Sequence, residues 1–358
     1  MARWTKFLAL RVVFLPVVVL AACAAPSPAT STTSPSAHTS PSAASTSAAS
    51  TSPAASPSVK AVATADLLGL KGVLFFHSYS DYSAWDSNLF GLELSSGHLS
   101  QINKSWTSMI SPMNVHLNHA GDAMVFMGSA AGLDEPEWDV FVSRWDGNTW
   151  SEPENLTGPN GMRDEDPKFS PDGKRIAYKN NGVLATMNAN GSNKQLLTLG
   201  AAESSIPYFT SDGTGIIFDR EGSIYLRSRT GDEKVLWQAA ETKAYYAVGV
   251  DKERFLFTEV QTSHHDRTMW GYYDGRPAKP LFYADKTCDN SDPFAYKDGS
   301  RFVFYVTGCP FIYKGGYNLA VADQLTKTSY NIDDINPDTN SNVQELGPTW
   351  SANAKVKS

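Results

Sequence analysis

Short apolar runs recur along residues 59–358, and Gly, Asn and Asp residues separate them. No long segment of this region has the 3.6-residue spacing of an amphipathic helix. Many short strands bounded by turn residues are typical of an all-β protein. The clearest predicted strands are Val73–Phe76, Met124–Met127, Arg175–Tyr178, Ile216–Phe218, Phe255–Thr258 and Phe302–Val306.

One sequence pattern occurs three times in this region. It runs over 167–178 (PKFSPDGKRIAY) and returns at 207–218 (PYFTSDGTGIIF) and 293–304 (PFAYKDGSRFVF). Each copy predicts a strand, a tight turn that contains Asp-Gly, and a second strand. We expect primed hairpin turns, because Asp-Gly supplies the positive φ that these turns need. Two weaker copies occupy 115–126 and 246–257.

Further short strands follow the copies, as at 222–227 and 234–237, which gives four strands a unit, the content of a propeller blade. Residues 348–355 match only the first strand and the turn, whereas 72–76 match the missing second strand. We therefore predict six four-stranded antiparallel blades in a β-propeller that is closed by pairing of its N- and C-terminal strands. Such closure removes an open sheet edge. The alternative is an irregular β-sandwich.

The segment 169–178 (FSPDGKRIAY) resembles the repeat of TolB-type β-propellers. Residues 142–156 (VSRWDGNTWSEPENL) are similar to the outer-strand segment between the blades of that family. The resemblance covers nearly all of 66–358 and implies a six-bladed TolB-like propeller there. The motifs specify a blade rather than an activity. No separate amino-terminal α/β domain like that of TolB is predicted, so the resemblance does not extend to a role in the Tol–Pal system.

The amino-terminal residues predict an export signal. The apolar run at 12–20 (VVFLPVVVL) is too short to cross a bilayer and is followed by LAAC, which ends at Cys23. The small residues before Cys23 resemble the lipobox of bacterial lipoproteins. This resemblance implies a signal peptide over 1–22 and a diacylglyceryl group on the Cys23 thiol. The alternative is an ordinary signal peptide that is cleaved near Ala22 or Ala25.

Residues 23–65 are predicted to form a disordered tether behind the lipid anchor. Apart from His38, residues 24–58 are all Ala, Ser, Thr or Pro, and they cannot build a packed core. A flexible coil of that length would span about 30–35 Å on average. We expect a lipid-anchored protein of the bacterial cell envelope, exposed outside the cytoplasm.

Charge is distributed unevenly along the chain. The first 58 residues contain no Asp or Glu, and their charged side chains are Arg3, Lys6 and Arg11. Without these three cations, the formal net charge of −7 for the whole chain becomes −10 for residues 59–358. That acidic body argues against binding of nucleic acid, whose phosphates require a basic face.

Two cysteines remain beyond Cys23, and they are expected to form a disulfide. In the repeat frame Cys288 precedes a first strand and Cys309 follows a second strand, so both emerge on one face of the propeller. An even pair in an exported protein favours a disulfide. The alternative is two separate thiols.

The long loops at 77–88, 128–138, 161–166, 262–267 and 309–317 are predicted to share that face. Their acidic and aromatic side chains suit sugar stacking, cation capture or binding of a basic peptide. In the alternative interpretation, the two Asp before a repeat Pro stabilise strand entry and the Trp residues anchor loops. A metal is not predicted, because the His-His-Asp cluster at 264–266 has no second partner at metal spacing. The ligand-face candidates are Asp81, Trp85, Asp86, Glu135, Trp138, Asp166, His264, His265, Asp266 and Asp292.

Catalytic signatures are absent from the sequence. It contains no G-x-S-x-G, H-E-x-x-H or P-loop pattern, so we assign no catalytic residue and no cofactor. The leading hypothesis is a monomeric, non-catalytic scaffold that binds an envelope protein or glycan. The competing hypothesis is a carbohydrate-active enzyme, a glycosidase or lyase, with paired carboxylates at the channel mouth. Its candidates are Asp81, Asp86, Glu135 and Asp166. A third hypothesis is a purely structural envelope protein.

Overall fold

The computed structural model describes residues 68–261, 265–281, 288–309 and 314–357. The predicted signal peptide over 1–22, the lipidation site Cys23, the tether up to residue 65 and His264 lie outside these described residues. Among the residues that are described, no helix has the length and apolar character needed to cross a membrane.

The described chain is built almost wholly of short strands. In chain order they are β1 (Val73–Tyr79), β2 (Asn88–Glu93), β3 (His98–Gln101), β4 (Met109–Leu117), β5 (Ala123–Ala130), β6 (Asp139–Arg144), β7 (Glu154–Asn155), β8 (Asp164–Phe169), β9 (Arg175–Asn180), β10 (Val183–Asn188), β11 (Gln195–Leu196), β12 (Ser204–Phe209), β13 (Gly215–Arg220), β14 (Ser223–Ser228), β15 (Glu233–Trp237), β16 (Thr242–Gly249), β17 (Arg254–Gln261), β18 (Arg267–Tyr272), β19 (Lys279–Pro280), β20 (Asn290–Ala295), β21 (Phe302–Thr307), β22 (Asn318–Asp323), β23 (Thr328–Asn331) and β24 (Gln344–Ser351). Short 3₁₀ helices span Tyr82–Ala84, Ile102–Ser105 and Ile332–Asp334.

These strands form six four-stranded antiparallel sheets, the blades of a β-propeller. Blade 1 has the spatial order β24, β1, β2, β3, whereas blades 2 to 6 each use four consecutive strands, from β4–β7 to β20–β23. The predicted fold class and the blade shared between both ends of the chain are therefore confirmed.

Closure of the ring rests on the antiparallel pairing of β24 with β1. Val73 lies opposite Ser351, and Phe75 lies opposite Thr349. The Trp350 indole N–H donates to the Lys71 carbonyl over 2.8 Å. Side chains of blades 6 and 1 share one apolar cluster, so the joint between the two chain ends is packed like the interior of the protein.

The last position of the repeat carries an aromatic residue on the second strand of every blade. All six rings are at most 2% exposed, so they belong to the hydrophobic core of the propeller. Burial of a large ring contributes about 2–3 kcal/mol. The six residues are Phe76, Phe126, Tyr178, Phe218, Phe257 and Phe304.

The Asp-Gly turns differ from the primed turns expected from the sequence. In the turn after β8, Gly173 has φ of 68°, but Asp172 is not in the positive-φ region. The Gly173 N–H donates to the Ser170 carbonyl over 2.8 Å, as in a type I turn followed by a left-handed glycine. The Asp172 carboxylate accepts from the backbone N–H of Lys174 at 3.1 Å, which fixes the loop. Pro171 before Asp172 favours this type I geometry.

The antiparallel order brings two sets of connections to one face of the propeller, here called the long-loop face. One set joins the second strand of a blade to its third strand, as at 80–87 and 131–138. The other set joins the fourth strand of a blade to the first strand of the next blade, as at 156–163. Cys288 and Cys309 lie on this face and are joined by the predicted disulfide, with a Cα–Cα distance of 5.1 Å. The Asp-Gly turns lie on the opposite face.

Candidate functional site

The innermost strand of each blade contains a bulged residue with positive φ, between 45° and 60°. The register with the second strand shifts beside each one. A bulge turns one side chain out of the regular alternation. Four of the six precede a proline, which an innermost strand tolerates because its free edge needs no N–H donor. We call the six residues the axial ring: Asn114, Asp166, Ile206, Tyr246, Asp292 and Gly347.

Members of the axial ring contact one another across blade boundaries. Asn114 Nδ2 donates to Asp166 Oδ1 over 2.7 Å. The Gly347 backbone N–H donates to the Asp292 carboxylate. A β-carbon at Gly347 would lie 2.8 Å from the Cε1 atom of His77 and 3.3 Å from Asn114 Oδ1. The bulges therefore direct these groups toward the axis of the propeller, where only glycine fits at position 347.

Three carboxyl groups around the axis release their protons at unusually high pH. Burial raises the pKa of Asp292 to about 7, and the neighbouring charges of Asp266 and Asp166 contribute to this rise. Burial also raises the pKa of Asp219 to about 8, again with help from Asp166. The pKa of Asp266 rises to about 6 through burial and through the charge of Asp289. Because like charges in one poorly solvated site oppose joint ionisation, this site retains protons near neutral pH.

A buried cation lies close to these carboxyl groups. Lys168 is 4% exposed, and its Nζ lies 3.5 Å from the Asn114 carbonyl oxygen. Burial lowers the pKa of Lys168 to about 8, although the Asp166 charge opposes this shift. Burial, followed by the charge of Lys168, lowers the pKa of both His77 and His116 to about 3. Both imidazoles are consequently neutral at physiological pH.

His116 contributes to a contact that reaches across the axis. The Phe169 backbone N–H donates to His116 Nδ1 over 3.1 Å, which assigns the imidazole proton to Nε2. His116 Nε2 lies 3.1 Å from the Tyr208 hydroxyl and donates to it. His116 belongs to blade 2 and Tyr208 belongs to blade 4, and these two blades are not neighbours in the ring. The pair therefore links blades 2 and 4 directly.

At the long-loop face, four aromatic side chains form a group that we call the mouth cluster: Tyr79, Tyr82, Trp85 and Trp138. The ring centroids of Trp85 and Trp138 are 4.1 Å apart, and those of Tyr82 and Trp138 are 5.5 Å apart. Trp138 is 4% exposed, whereas Tyr82 is 48% exposed. The Asp81 carboxylate caps the 3₁₀ helix that carries Tyr82. A buried indole thus supports an exposed ring at the mouth of the channel.

An ion network connects the mouth cluster with blade 3. Glu165 Oε1 accepts from Arg163 Nη2 at 2.7 Å, and Glu165 Oε2 lies 2.6 Å from Lys179 Nζ. The Glu165 side chain is only 4% exposed, so its contacts with these cations compensate for its lost hydration. Arg163 also lies near the Tyr82 hydroxyl. This network holds a partly exposed guanidinium beside the aromatic rings.

Five of the ligand-face candidates come together in two groups. Asp166 and Asp292 belong to the axial ring, and Asp266 lies beside it, where it accepts from the Tyr245 hydroxyl at 3.1 Å. Trp85 and Trp138 stack in the mouth cluster. The two Asp before the repeat prolines therefore face the axis, and Trp138 anchors its loop.

The remaining candidates have local roles or lie apart. Asp86 accepts from the Ser80 backbone N–H at 3.1 Å within the same loop as Asp81. Glu135 is exposed in the loop 131–138. His265 is exposed, and its Nδ1 lies 3.2 Å from Asp289 Oδ1. Within the part of the chain that is described, no group of three or more His, Cys, Asp or Glu residues could hold a metal ion.

Sequence reasoning did not identify several residues at the axis. The missed residues are His77, Asn114, His116, Lys168, Asp219 and Tyr246. One signal was available for Asn114: alignment of the repeats on the proline position places it in register with Asp166 and Asp292. Tyr246 stands at the proline position of its own copy, 246–257, so the alignment did not identify it. The others could be identified only once the strand register was known.

Comparison with solved structures relates this geometry to a known architecture. The chain matches TolB from Acinetobacter baumannii with a TM-score of 0.60 at 14% identity, covering 78% of this chain and 66% of that one. A putative TolB from Agrobacterium tumefaciens matches with a TM-score of 0.52 at 12% identity, covering 73% and 87%. The fold is that of the TolB-like propellers.

The same architecture occurs in a protein of different function. An oligogalacturonate lyase from Vibrio parahaemolyticus matches with a TM-score of 0.50 at 10% identity, covering 72% of this chain and 78% of that one. No family model and no curated protein matches the sequence. At these identities the likeness concerns the fold alone.

We predict that Asp292→Asn changes the pH dependence of stability. The native pKa of Asp292 is about 7, whereas an unfolded Asp titrates near pH 3.9. Between these two pH values the native state keeps the proton on Asp292 and the unfolded state does not. The free energy of unfolding of the wild type therefore falls as the pH rises through this window. The variant should match the wild type near pH 4 and exceed it by about 1–3 kcal/mol above pH 7.

Urea unfolding at several pH values between about pH 4 and about pH 8 checks this expectation. Asp274→Asn is the matched control, because the Asp274 side chain is 60% exposed. A stability difference between Asp292→Asn and the wild type that does not vary with pH would show that Asp292 ionises normally.

Proposed function

We propose that this chain is a non-catalytic envelope lipoprotein whose propeller binds a protein or glycan at the mouth cluster. The observation that carries the proposal is the exposed Tyr82 ring above the buried Trp138 indole. Aromatic rings offer a large amphipathic contact area and lose little conformational entropy on binding. The buried support keeps that area in place before a ligand arrives.

Charge at the mouth supports a polar ligand rather than an apolar one. The Arg163 guanidinium lies beside Tyr82, and the carboxylates of the axial ring lie below it. Ligand sites usually combine apolar rings with a few polar groups that fix orientation. A glycan or an extended peptide segment would meet both kinds of group. The TolB-like fold is compatible with a scaffold, although fold alone does not specify a ligand.

Replacing both Tyr82 and Trp85 with Ala should abolish capture of partners. Immobilised full-length protein would be incubated with detergent-solubilised envelope proteins and, separately, with soluble cell-wall glycan fragments. We expect recovery to fall about tenfold or more, because the variant removes the exposed Tyr82 ring and the half-buried Trp85 ring beside it. Trp138 is unsuitable for this test, because its burial makes substitution destabilising by about 3–5 kcal/mol.

Leu325→Ala is the control, because Leu325 is 74% exposed and lies between β22 and β23 on the opposite face. Recovery that is equal for the double variant and the Leu325→Ala control would refute binding at the mouth cluster.

Anchoring through Cys23 is the second part of the proposal. Two acyl chains bind a membrane persistently, because each buried CH₂ contributes about 0.8 kcal/mol. Cys23→Ser should abolish incorporation of a labelled fatty acid and release the protein from the membrane fraction. The control is the double variant Cys288→Ser with Cys309→Ser, which keeps Cys23. Membrane retention of Cys23→Ser at the level of the wild type would rule out this anchor.

A second candidate function, a carbohydrate-active enzyme, has one observation in its favour. Asp292, with a pKa of about 7, can donate a proton near neutral pH and lies close to Asp166. Glycosidases use such a protonated carboxyl beside a second carboxylate. Turnover of an envelope or plant polysaccharide that is lost in Asp292→Asn would favour this candidate over the binding scaffold. Of the carboxylates expected to form the pair, Asp166 is the one in the axial ring.

A further inference from the structure

A cavity of about 320 Å³ lies between blades 3 and 4, on the side of the Asp-Gly turns and away from the mouth cluster. Three arginines line it: Arg175, Arg227 and Arg229. None of the described residues in its wall is Asp or Glu. In a protein whose body has a net charge of −10, a wall of this composition indicates an anionic ligand.

Repeat symmetry shows that Arg175 lacks an ion pair that its counterparts have. Arg175 and Arg254 each open the second strand of a blade, and Arg301 immediately precedes one. Arg254 Nη2 lies 2.7 Å from Asp251 Oδ2, and Arg301 Nη2 lies 2.9 Å from Asp323 Oδ2. Arg175 makes no direct ion pair with any residue that the structure describes, and the charge of Asp172 in its own turn acts on it without such a contact.

The Arg175 guanidinium is nevertheless held in place. Its Nη2 donates to the Gly213 carbonyl over 3.2 Å, and its Cζ lies 5.0 Å from the centroid of the Phe209 ring. Stacking on an aromatic face and a single backbone bond leave most of the planar N–H fork available. Such a fork matches the oxygen spacing of a carboxylate or phosphate.

A hydroxyl group on the wall can also donate to a bound anion. Thr186 lines the cavity, and its hydroxyl makes no side-chain hydrogen bond to another described residue. The Thr186 O–H is therefore available to donate to an anion oxygen in the cavity.

The neighbouring cavity shows that the positive wall does not result from the repeat itself. A space of about 200 Å³ near the turns of blades 4 and 5 is lined by Asp212, Asp251 and Lys252 among other residues. Two carboxylates and one cation give that wall the opposite balance. The lack of a carboxylate in the wall thus distinguishes the cavity between blades 3 and 4 from its neighbour.

We propose that this cavity binds a small molecule through an oxyanion, a phosphate or carboxylate group. Arg175 and Arg229 contact the oxyanion, and Thr186 donates its hydroxyl proton to it. Arg227 is fixed by Glu233, with 2.9 Å between Nη1 and Oε1, and forms part of the wall. The apolar side chains of Leu197 and Ile216 contact the uncharged part of the ligand.

Isothermal titration of the full-length protein with inorganic phosphate, pyrophosphate and citrate tests this proposal. Phosphate and pyrophosphate represent a phosphate source, and citrate represents a carboxylate source. We expect at least one of them to bind, and Arg175→Gln to weaken its Kd about tenfold or more. Thr186→Val should weaken it about threefold or more through loss of one hydrogen bond.

Arg144→Gln is the matched control, because it removes the same charge from a side chain that is 50% exposed on blade 2. Arg229→Gln provides a variant of an exposed residue that should fold normally even if Arg175→Gln does not. The proposal is wrong if none of the three anions binds at about 10 mM. It is also wrong if Arg144→Gln weakens binding as much as Arg229→Gln does. Neither result bears on the mouth cluster.

Discussion

Pairing of β24 with β1 is the interaction on which the rest of the structure depends. It joins two segments separated by most of the chain, and it supplies the innermost strand of blade 1. Without it, β1 would present an unpaired strand edge, which invites association with other chains. The shared apolar cluster of blades 6 and 1 gives this joint the packing of a core rather than that of a loose strap.

Closure also creates the axis at which the unusual chemistry lies. Innermost strands that surround a common axis bring their bulged residues together, so that Asn114 can bond Asp166 and Gly347 can bond Asp292. Poor solvation then raises the pKa values of carboxyl groups that would ionise freely on a surface. The same burial keeps His77 and His116 neutral near Lys168. The titration behaviour of the axis is thus a consequence of ring closure.

The architecture could be predicted from sequence because its determinants are local. Strand alternation, aromatic positions and Asp-Gly turns repeat within each blade, and the incomplete copies at the two ends indicate closure. The turn type was predicted wrongly, because Asp-Gly was assigned to the two central positions, whereas in the Ser170–Gly173 turn glycine occupies the fourth position. The axial contacts could not be predicted, because the partners Asn114 and Asp166 are 52 positions apart and meet only through the bulges. The exposed carboxylates Asp81 and Asp86 stabilise their own loop, a role that composition does not distinguish from ligand binding.

Hydrogen exchange measured by mass spectrometry on peptides that cover β24 and β1 tests the closed ring most directly. The account predicts that these peptides exchange as slowly as those covering β9 and β13, through global unfolding, because the joint is part of one cooperative core. Exchange of β24 and β1 that is faster by about a factor of one hundred or more, with the other blades still protected, would show that the two ends fray independently. That result would contradict a ring closed by strand pairing.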